Sequence, residues 1–483
     1  MLKQIDFSKL PEVFGSAIKT AKTLMPDIQD TCITAIMLPM FTHVLSFKRV
    51  KTDEYSDGKN LIHLNVYCID LIPSGGGKDR LKKDVENHML ISSYKEIEAR
   101  VKNFYQDKIR NLEMKLENAT KLEKAKIENE IAKVREIDLI INKCTTEGFV
   151  ADAVALMDMP YGAFFIIDSE VGLTLIAKDE KQRQAIEALF QGYDGIMPDK
   201  SIKMENKKRG KVKGIIINCL LYSDPLIFKD KKLNELFERI MELGIARRTF
   251  VTFQPDLIKS DIGNPDETYK RIQQAYKECE NIDKKMLEIF HAIPNNAVYK
   301  LPQSVALGYL YPYKKKLVEM FNKTNVALEK KEILSRELKA IKLATFCACL
   351  NHPSKLTITE TDFEQGIYLT EFLSQDYINF LAFSSPYNDQ YTKVYEFFME
   401  HINESFYKTD LINHHKDIGL SRGFFRREFA DIVDGVNELA YLNGYYLEEF
   451  NHSKNNAKTF TLRKILTPEE IAERDKDLYV DTI

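Results

Sequence analysis

The sequence predicts an α/β protein with a parallel sheet, interrupted by an inserted helical hairpin and followed by a helical region and a small terminal domain. Three observations predict it. Short apolar runs alternate with helical patterns, which is the mark of parallel strands covered on both faces. The stretch Tyr94–Lys143 contains no Pro or Gly and repeats apolar residues at helical spacing. Beyond residue 386 the pattern changes to short helices and then two strands about a polar turn.

Composition bounds the reading. The 483 residues admit about three domains. A hydrophobic share of 44% and a charged share of 29% suit a packed core. The net charge of −3 gives no global attraction to nucleic acid, so any such contact must come from local patches. The seven cysteines (Cys32, Cys68, Cys144, Cys219, Cys279, Cys347 and Cys349) form no Cys-x-x-Cys pair. They read as reduced core residues of a cytosolic protein. No signal peptide is expected, and Ile33–Leu45 is too short and interrupted to span a bilayer. A cytoplasmic, membrane-free protein follows.

In chain order, residues 1–60 are an N-terminal helical segment. Leu10-Pro11-Glu12 opens one helix, with Val13, Phe14, Ala17, Ile18 and Ala21 on one face. A second helix spans Asp27 to Leu45, and Lys51–Asn60 reads as a loop. Residues 61–260 are the α/β core. Its first strand, Leu64–Ile72, runs into Pro73-Ser74-Gly75-Gly76-Gly77-Lys78-Asp79-Arg80 and then a helix. Glycines let the backbone turn tightly with its N–H groups inward, and the helix presents its positive end to the same place. This is the layout of a phosphate-binding loop, with Ser74, Gly75, Gly76, Gly77, Lys78, Asp79 and Arg80 as the nucleotide-binding set. Two positions depart from the usual pattern. Ile72 stands where a glycine is expected, and Asp79 replaces the magnesium-binding Ser or Thr.

Residues 94–143 form the insertion, an antiparallel coiled coil turning at Glu117-Asn118-Ala119-Thr120. It is either a solvated arm or one that docks a neighbour or partner. The α/β pattern then resumes. Gly162–Ile167 leads to Asp168-Ser169-Glu170, an apolar strand delivering carboxylates to a sheet edge. A helix Lys181–Phe190 follows, then a strand Lys213–Tyr222 ending at Ser223-Asp224-Pro225, a helix Leu233–Leu243, and a strand Arg248–Phe253. Residues 261–385 are a helical domain, with helices expected over Asp266–Ala292, Lys314–Leu350 and Phe363–Ala382. Residues 386–483 suggest a winged helix-turn-helix, with helices at Tyr391–Ile402, Lys408–His415 and up to Leu442, then strands Tyr445–Phe450 and Thr459–Arg463.

An ATPase of the P-loop class needs loop amides, a lysine, an acid for magnesium, a second acid to align water, a polar sensor and often an arginine from a neighbour. The chain offers these in order. Lys78 and the glycines take phosphate, Asp79 and Asp168 hold Mg2+, and Glu170 is the general base. Asn218 or Asp224 is the sensor, and Arg247 or Arg248 is the finger. The cofactors expected are ATP and magnesium. Asp199–Lys213 carries seven basic residues and sits where a DNA-gripping loop would lie, or is simply solvated. Arg422, Arg426, Arg427, Lys454 and Lys458 can form one basic face of the terminal domain, which suits DNA or protein docking equally.

The runs Ile72–Arg80, Cys144–Phe149, Gly162–Gly172, Tyr193–Gly195, Asn218–Pro225 and Gly244–Phe250 resemble, in this order, a family of phage and prophage P-loop proteins. That family is largely of uncharacterised function and is similar to the helicase half of viral and plasmid primase-helicases. The resemblance covers roughly residues 8–385. It implies a RecA-like core and a hexameric, ATP-dependent DNA translocase of phage-type replication in the bacterial host cytoplasm, acting on single-stranded DNA. It makes Lys78 and Glu170 the catalytic pair and places the arginine finger across a subunit boundary of a homo-oligomeric ring. No primase motif is visible, so a priming partner would be a separate chain. Two other readings are a nucleotide-binding adaptor or loader with little turnover, which Ile72 and Asp79 favour, and a scaffold whose loop binds nothing.

Overall fold

The computed structural model describes residues 4–55, 57–134, 136–141, 146–168, 192–197, 212–229, 233, 234, 237, 241, 244, 247–261, 263–324, 327–384, 388–442, 444–452 and 457–465. The chain forms two compact units, Met1–Phe380 and Leu381–Ile483. Among the described residues no helix is long and apolar enough to cross a membrane.

The first unit is built on a five-stranded, all-parallel sheet. Its strands are β3 (Tyr67–Leu71), β4 (Ile140–Ile141), β5 (Phe164–Asp168), β8 (Ile217–Ser223) and β9 (Thr249–Phe253), in the order β4-β5-β8-β3-β9. β3, β8 and β9 are buried at every residue, so their sequences are mostly apolar and do not alternate with a solvent-facing polar set. Tyr67 is level with Cys219 and Thr249, and Leu71 with Ser223 and Phe253. All five strands therefore point their carboxyl ends to one edge, where α/β sheets bind ligands. The two missing numbers belong to a small ribbon, β6 (Ile196–Met197) against β7 (Val212–Lys213).

The N-terminal helices are part of this unit, not a separate segment. α1 (Glu12–Leu24) buries Val13, Phe14, Ala17, Ile18 and Ala21, the face read from the sequence. α2 (Asp30–Ser46) starts three residues later than expected and is buried on all sides from Thr31 to Ser46. Such a helix has no polar face because it lies on the sheet, against β3, β5, β8 and β9. Lys51–Asn60 is only partly a loop. β1 (Lys51–Asp53) pairs antiparallel with β2 (Leu61–His63) and parallel with β10 (Val298–Lys300). These three-residue strands are too short to show a period, and β10 lies far away in sequence.

The insertion is a helical hairpin. After α3 (Lys78–Asp84) and a π-helical turn at Val85–Met89 come α4 (Ile91–Glu117) and α5 (Lys121–Lys133). Thr120 and Glu123 form a reciprocal capping box that starts α5. Tyr94, Ile97, Val101 and Tyr105 bury the first half of α4. Past Tyr105 neither helix buries a residue among those described, and Met114 stands 51% exposed. α6 (Thr146–Met157) returns the chain to the sheet.

The helical region follows as α7 (Pro265–Ala292), α8 (Tyr311–Lys323), α9 (Ala327–Asn351) and α10 (Glu360–Ser384). The single helix expected over Lys314–Leu350 is two, because Thr324 leaves the helical conformation and bonds its hydroxyl to Glu329. Thr359 and Asp362 cap α10 as the sequence suggested, with Thr359 N donating to Asp362 Oδ2 at 2.7 Å. α9 and α10 touch backbone to backbone. A Cβ on Gly366 would stand 2.5 Å from Ala344 N and 2.8 Å from Ala340 O. Gly366→Ala is therefore expected to cost about 3 kcal/mol in a urea titration, because no side chain can yield. A loss below about 1 kcal/mol would show that the helices are further apart.

The second unit contains α11 (Asn388–Glu400), β11 (Ser405–Tyr407), α12 (Lys408–Asn413), α13 (Arg422–Arg427), α14 (Phe429–Leu442), β12 (Tyr445–His452) and β13 (Ala457–Lys464). The antiparallel sheet has the order β11-β13-β12, and β11 was not expected from the sequence. Phe398, Phe425, Val436, Ala440 and Leu462 lie at the centre of its core. Gly435 admits Tyr391, whose ring carbon would stand 2.1 Å from an added Cβ.

Candidate functional site

The glycine turn sits at the carboxyl edge, directly after β3. Ile72 is buried and donates its N–H to Ser223 O at 3.1 Å, which extends the pairing with β8 by one bond. The chain then turns, with Gly76 N donating to Pro73 O at 3.0 Å. Gly75 (φ +83°) and Gly77 (φ +89°) are left-handed, a conformation only glycine adopts without strain. Gly76 answers to a different constraint. A Cβ there would stand 2.5 Å from Ile72 Cγ2. The branched residue at position 72 thus accounts for Gly76, and the left-handed backbone accounts for Gly75 and Gly77.

α3 begins at Lys78, and Leu81 N returns to Gly77 O at 3.0 Å. Among the described residues no acceptor is offered to the amides of Lys78, Asp79 and Arg80. These open first-turn donors are what an anion would bind. Ser74, Asp79 and Arg80 are exposed, and Lys78 is half-buried. Arg80 approaches Asp84 at 3.9 Å.

Two carboxylates flank the lysine. Asp224, just past β8, accepts Ser74 N at 2.8 Å and Leu226 N at 3.0 Å. Burial alone would raise its pKa, but these amides and the Lys78 charge outweigh it and hold the carboxyl below its ordinary value. Asp224 thus fixes the entry of the glycine turn to the end of the neighbouring strand. Asp224→Ala is expected to loosen the turn and weaken pyrophosphate binding about tenfold by calorimetry, since a charged hydrogen bond of this kind contributes about 1.5 kcal/mol. Unchanged affinity would show that the turn holds itself. Asp70, inside β3, is fully buried and accepts Thr252 Oγ1 at 2.6 Å. Burial pushes its carboxyl up to about 7. An acid within an otherwise apolar strand was the available signal for it. Its partners Thr252, Cys32 and Asp376 come from β9, α2 and α10, which no local pattern joins to β3.

The remaining candidates divide by position. Asp168 ends β5 and is half-exposed at the carboxyl edge, separated from β3 by β8. Glu170 lies outside the described residues, as does Asp199–Lys211 of the basic stretch. Asn218 is corrected as a sensor. It is level with Val66, near the amino end of β8 and roughly 16 Å by strand rise from the glycine turn. It is fully buried, and both its polar atoms are used, accepting Val66 N at 3.0 Å and donating to Ser46 Oγ at 2.8 Å. Asp224, the other sensor candidate, is the one at the loop. Arg247 and Arg248 precede β9 and so lie at the sheet's amino edge, away from their own loop. Arg248 pairs with Asp194 at 2.7 Å and is largely covered, whereas Arg247 is exposed.

The amino edge carries its own polar network. Lys342 is fully covered, bonds Asn65 Oδ1 and lies 3.5 Å from the centre of the Tyr193 ring. Burial lowers its pKa to about 7. The six described cysteines are all buried and unpaired, in line with the core role expected of them. Arg422, Arg426 and Arg427 are exposed in the second unit, Lys458 pairs with Glu449, and Lys454 lies outside the described residues. Among the described residues no three His, Cys, Asp or Glu side chains gather as a metal site. No protein-family model matches the chain, and none of the curated proteins is detectably similar to it.

Proposed function

We propose that the chain is a P-loop ATPase with a RecA-like core that moves on single-stranded DNA. One observation carries the reading. A glycine turn, and three helix amides and a lysine with no partner among the described residues, meet at the carboxyl edge of a parallel sheet, with Asp224 beside them and Asp168 one strand further on. Placing a strand between the loop and the metal-side acid leaves room for a triphosphate between them. Lys78 takes the charge of the outer phosphates, and the α3 amides take their oxygens. The carboxylates of Asp168 and Asp79 are hard oxygen donors suited to magnesium, which would complete its shell with water and phosphate. That ion would neutralise charge on the phosphates. Glu170, two residues beyond the end of β5, orients the attacking water in this reading.

The finger would come from a second copy in a ring, since both arginines face away from their own loop. Arg247 is the better of the two, because it need not break an ion pair first. The second unit supports a winged helix: a helix, a strand, three helices and a hairpin, with the first strand added to the hairpin's edge. Its exposed arginines stand at α13, ahead of the long helix α14.

Hydrolysis measured with and without single-stranded DNA tests the proposal. DNA is expected to raise turnover severalfold. Nucleotide binding without DNA-stimulated turnover would overturn the motor and leave the adaptor reading. That reading is favoured by Ile72 in place of a glycine and Asp79 in place of a hydroxyl.

A further inference from the structure

The first unit holds a cavity of about 750 Å³ beside the glycine turn. Pro26 and Gln29, between α1 and α2, form one wall, and Pro255 and Ile258, after β9, form another. Gln375 and Asn379 of α10 close it. The first two segments also touch the turn itself. A Cβ on Gly77 would stand 3.6 Å from Met25 Sδ and 3.9 Å from Ile28 Cδ1, and one on Gly76 would stand 3.7 Å from Leu257 Cδ2. The same two segments therefore border the cavity and the turn, each through adjacent residues.

Those walls are held in place. Gln254 accepts Gln29 N at 2.9 Å and donates to Asp27 O at 3.2 Å and to Asp256 O at 3.0 Å. Ser260 N donates to Asp27 Oδ1 at 2.7 Å. Such a site is formed before a ligand arrives, and little ordering cost is left for binding.

We propose that this cavity takes the base of the bound nucleotide, and that the base is adenine. The inference rests on the phosphate-loop reading above. Pro26, Pro255 and Ile258 offer apolar surface to a ring face. Gln375 and Asn379 are four residues apart and so share a face of α10. The Asn379 amide supplies a donor and an acceptor, which match the amino and ring-nitrogen pair on an edge of adenine, while Gln375 Nε2 donates one N–H to Glu371 O at 3.0 Å and keeps its second N–H and its oxygen. Guanine, whose pairing edge shows two neighbouring donors, is held best by a free carboxylate. The acid on this wall, Asp376, already accepts Phe253 N at 3.2 Å, and Thr31 also bonds it. Lys22, the cation among the described lining residues, is paired with Asp30 at 3.1 Å and so is compensated rather than free to draw a second phosphate.

Calorimetry with ADP, GDP and pyrophosphate, on the wild type, Asn379→Ala and Ile258→Trp, tests the proposal. Asn379 is exposed, so its loss should leave the fold intact. ADP is expected to bind at least tenfold more tightly than pyrophosphate or GDP. Both variants should lose about tenfold in ADP affinity while pyrophosphate binds as before. Equal binding of ADP and pyrophosphate by the wild type would sink the base site and leave the phosphate loop standing. ADP affinity unchanged in both variants, or pyrophosphate weakened equally, would also overturn it. Binding of neither ligand would remove the phosphate loop and the cavity's role together.

Discussion

Replacing Lys78 with alanine is expected to lower nucleotide turnover by a factor of about 10² to 10³, as the loss of one preorganised donor to a developing charge does elsewhere. The geometry explains why so much should depend on one side chain. Lys78 is half-buried and forms no direct ion pair among the described residues, yet its charge is felt by Asp70 and Asp224. A cation poised near two acids, but bonded to neither, is available to a phosphate without first breaking a contact. The α3 amides remain in the variant, so some binding should survive while the rate falls. The thermal midpoint should hardly move, since no packed apolar group is removed. A variant with turnover within threefold of the wild type would deny the lysine its place at the phosphates.

Glu332→Ala is expected to cost about 3–5 kcal/mol, measured by denaturant titration at neutral pH. Glu332, Arg336 and Lys339 on α9 are all nearly inaccessible. Glu332 accepts Arg336 Nε at 2.7 Å, Lys339 Nζ at 3.1 Å and Ser374 Oγ at 2.8 Å, and Lys339 also donates to Thr249 O at the start of β9. Burial would raise the Glu332 pKa, but the two cations and the hydroxyl outweigh it and hold the carboxyl below its ordinary value. Its stabilisation is therefore complete above the unfolded-state value of about 4.3 and is lost as pH falls through the lower folded value. Without the carboxylate, the two buried cations lose the group they share, although Arg336 keeps Glu371 at 3.3 Å and Lys339 keeps Thr249 O at 2.9 Å. Acid titration should separate the proteins, because the wild type loses this contribution at low pH and the variant has none to lose. A cost below about 1 kcal/mol would mean that water reaches the cations.

The elements legible in the sequence were those whose cause is local. The glycine turn followed by Lys78 and a helix, the pattern of short apolar strands, the Tyr94–Lys133 part of the hairpin with its turn, and the Thr359–Asp362 cap each follow from neighbours within a few residues. Other features were hidden because their partners are distant in the chain. β1 and β10 pair across some 250 residues. Asn218 resembles a sensor at the end of an apolar run, but register places it level with Val66, where it stitches two strands and α2 together.

By itself the sequence determined the parallel α/β character and the backbone chemistry of the turn, because side-chain period and glycine's freedom act over single residues. Tertiary structure alone decided the edge at which each polar group lies. It put Lys78, Asp168 and Asp224 on the carboxyl side and Asn218, Arg247 and Arg248 on the amino side. Strand register sets that choice, and register arises from pairing and burial between segments that are remote in sequence.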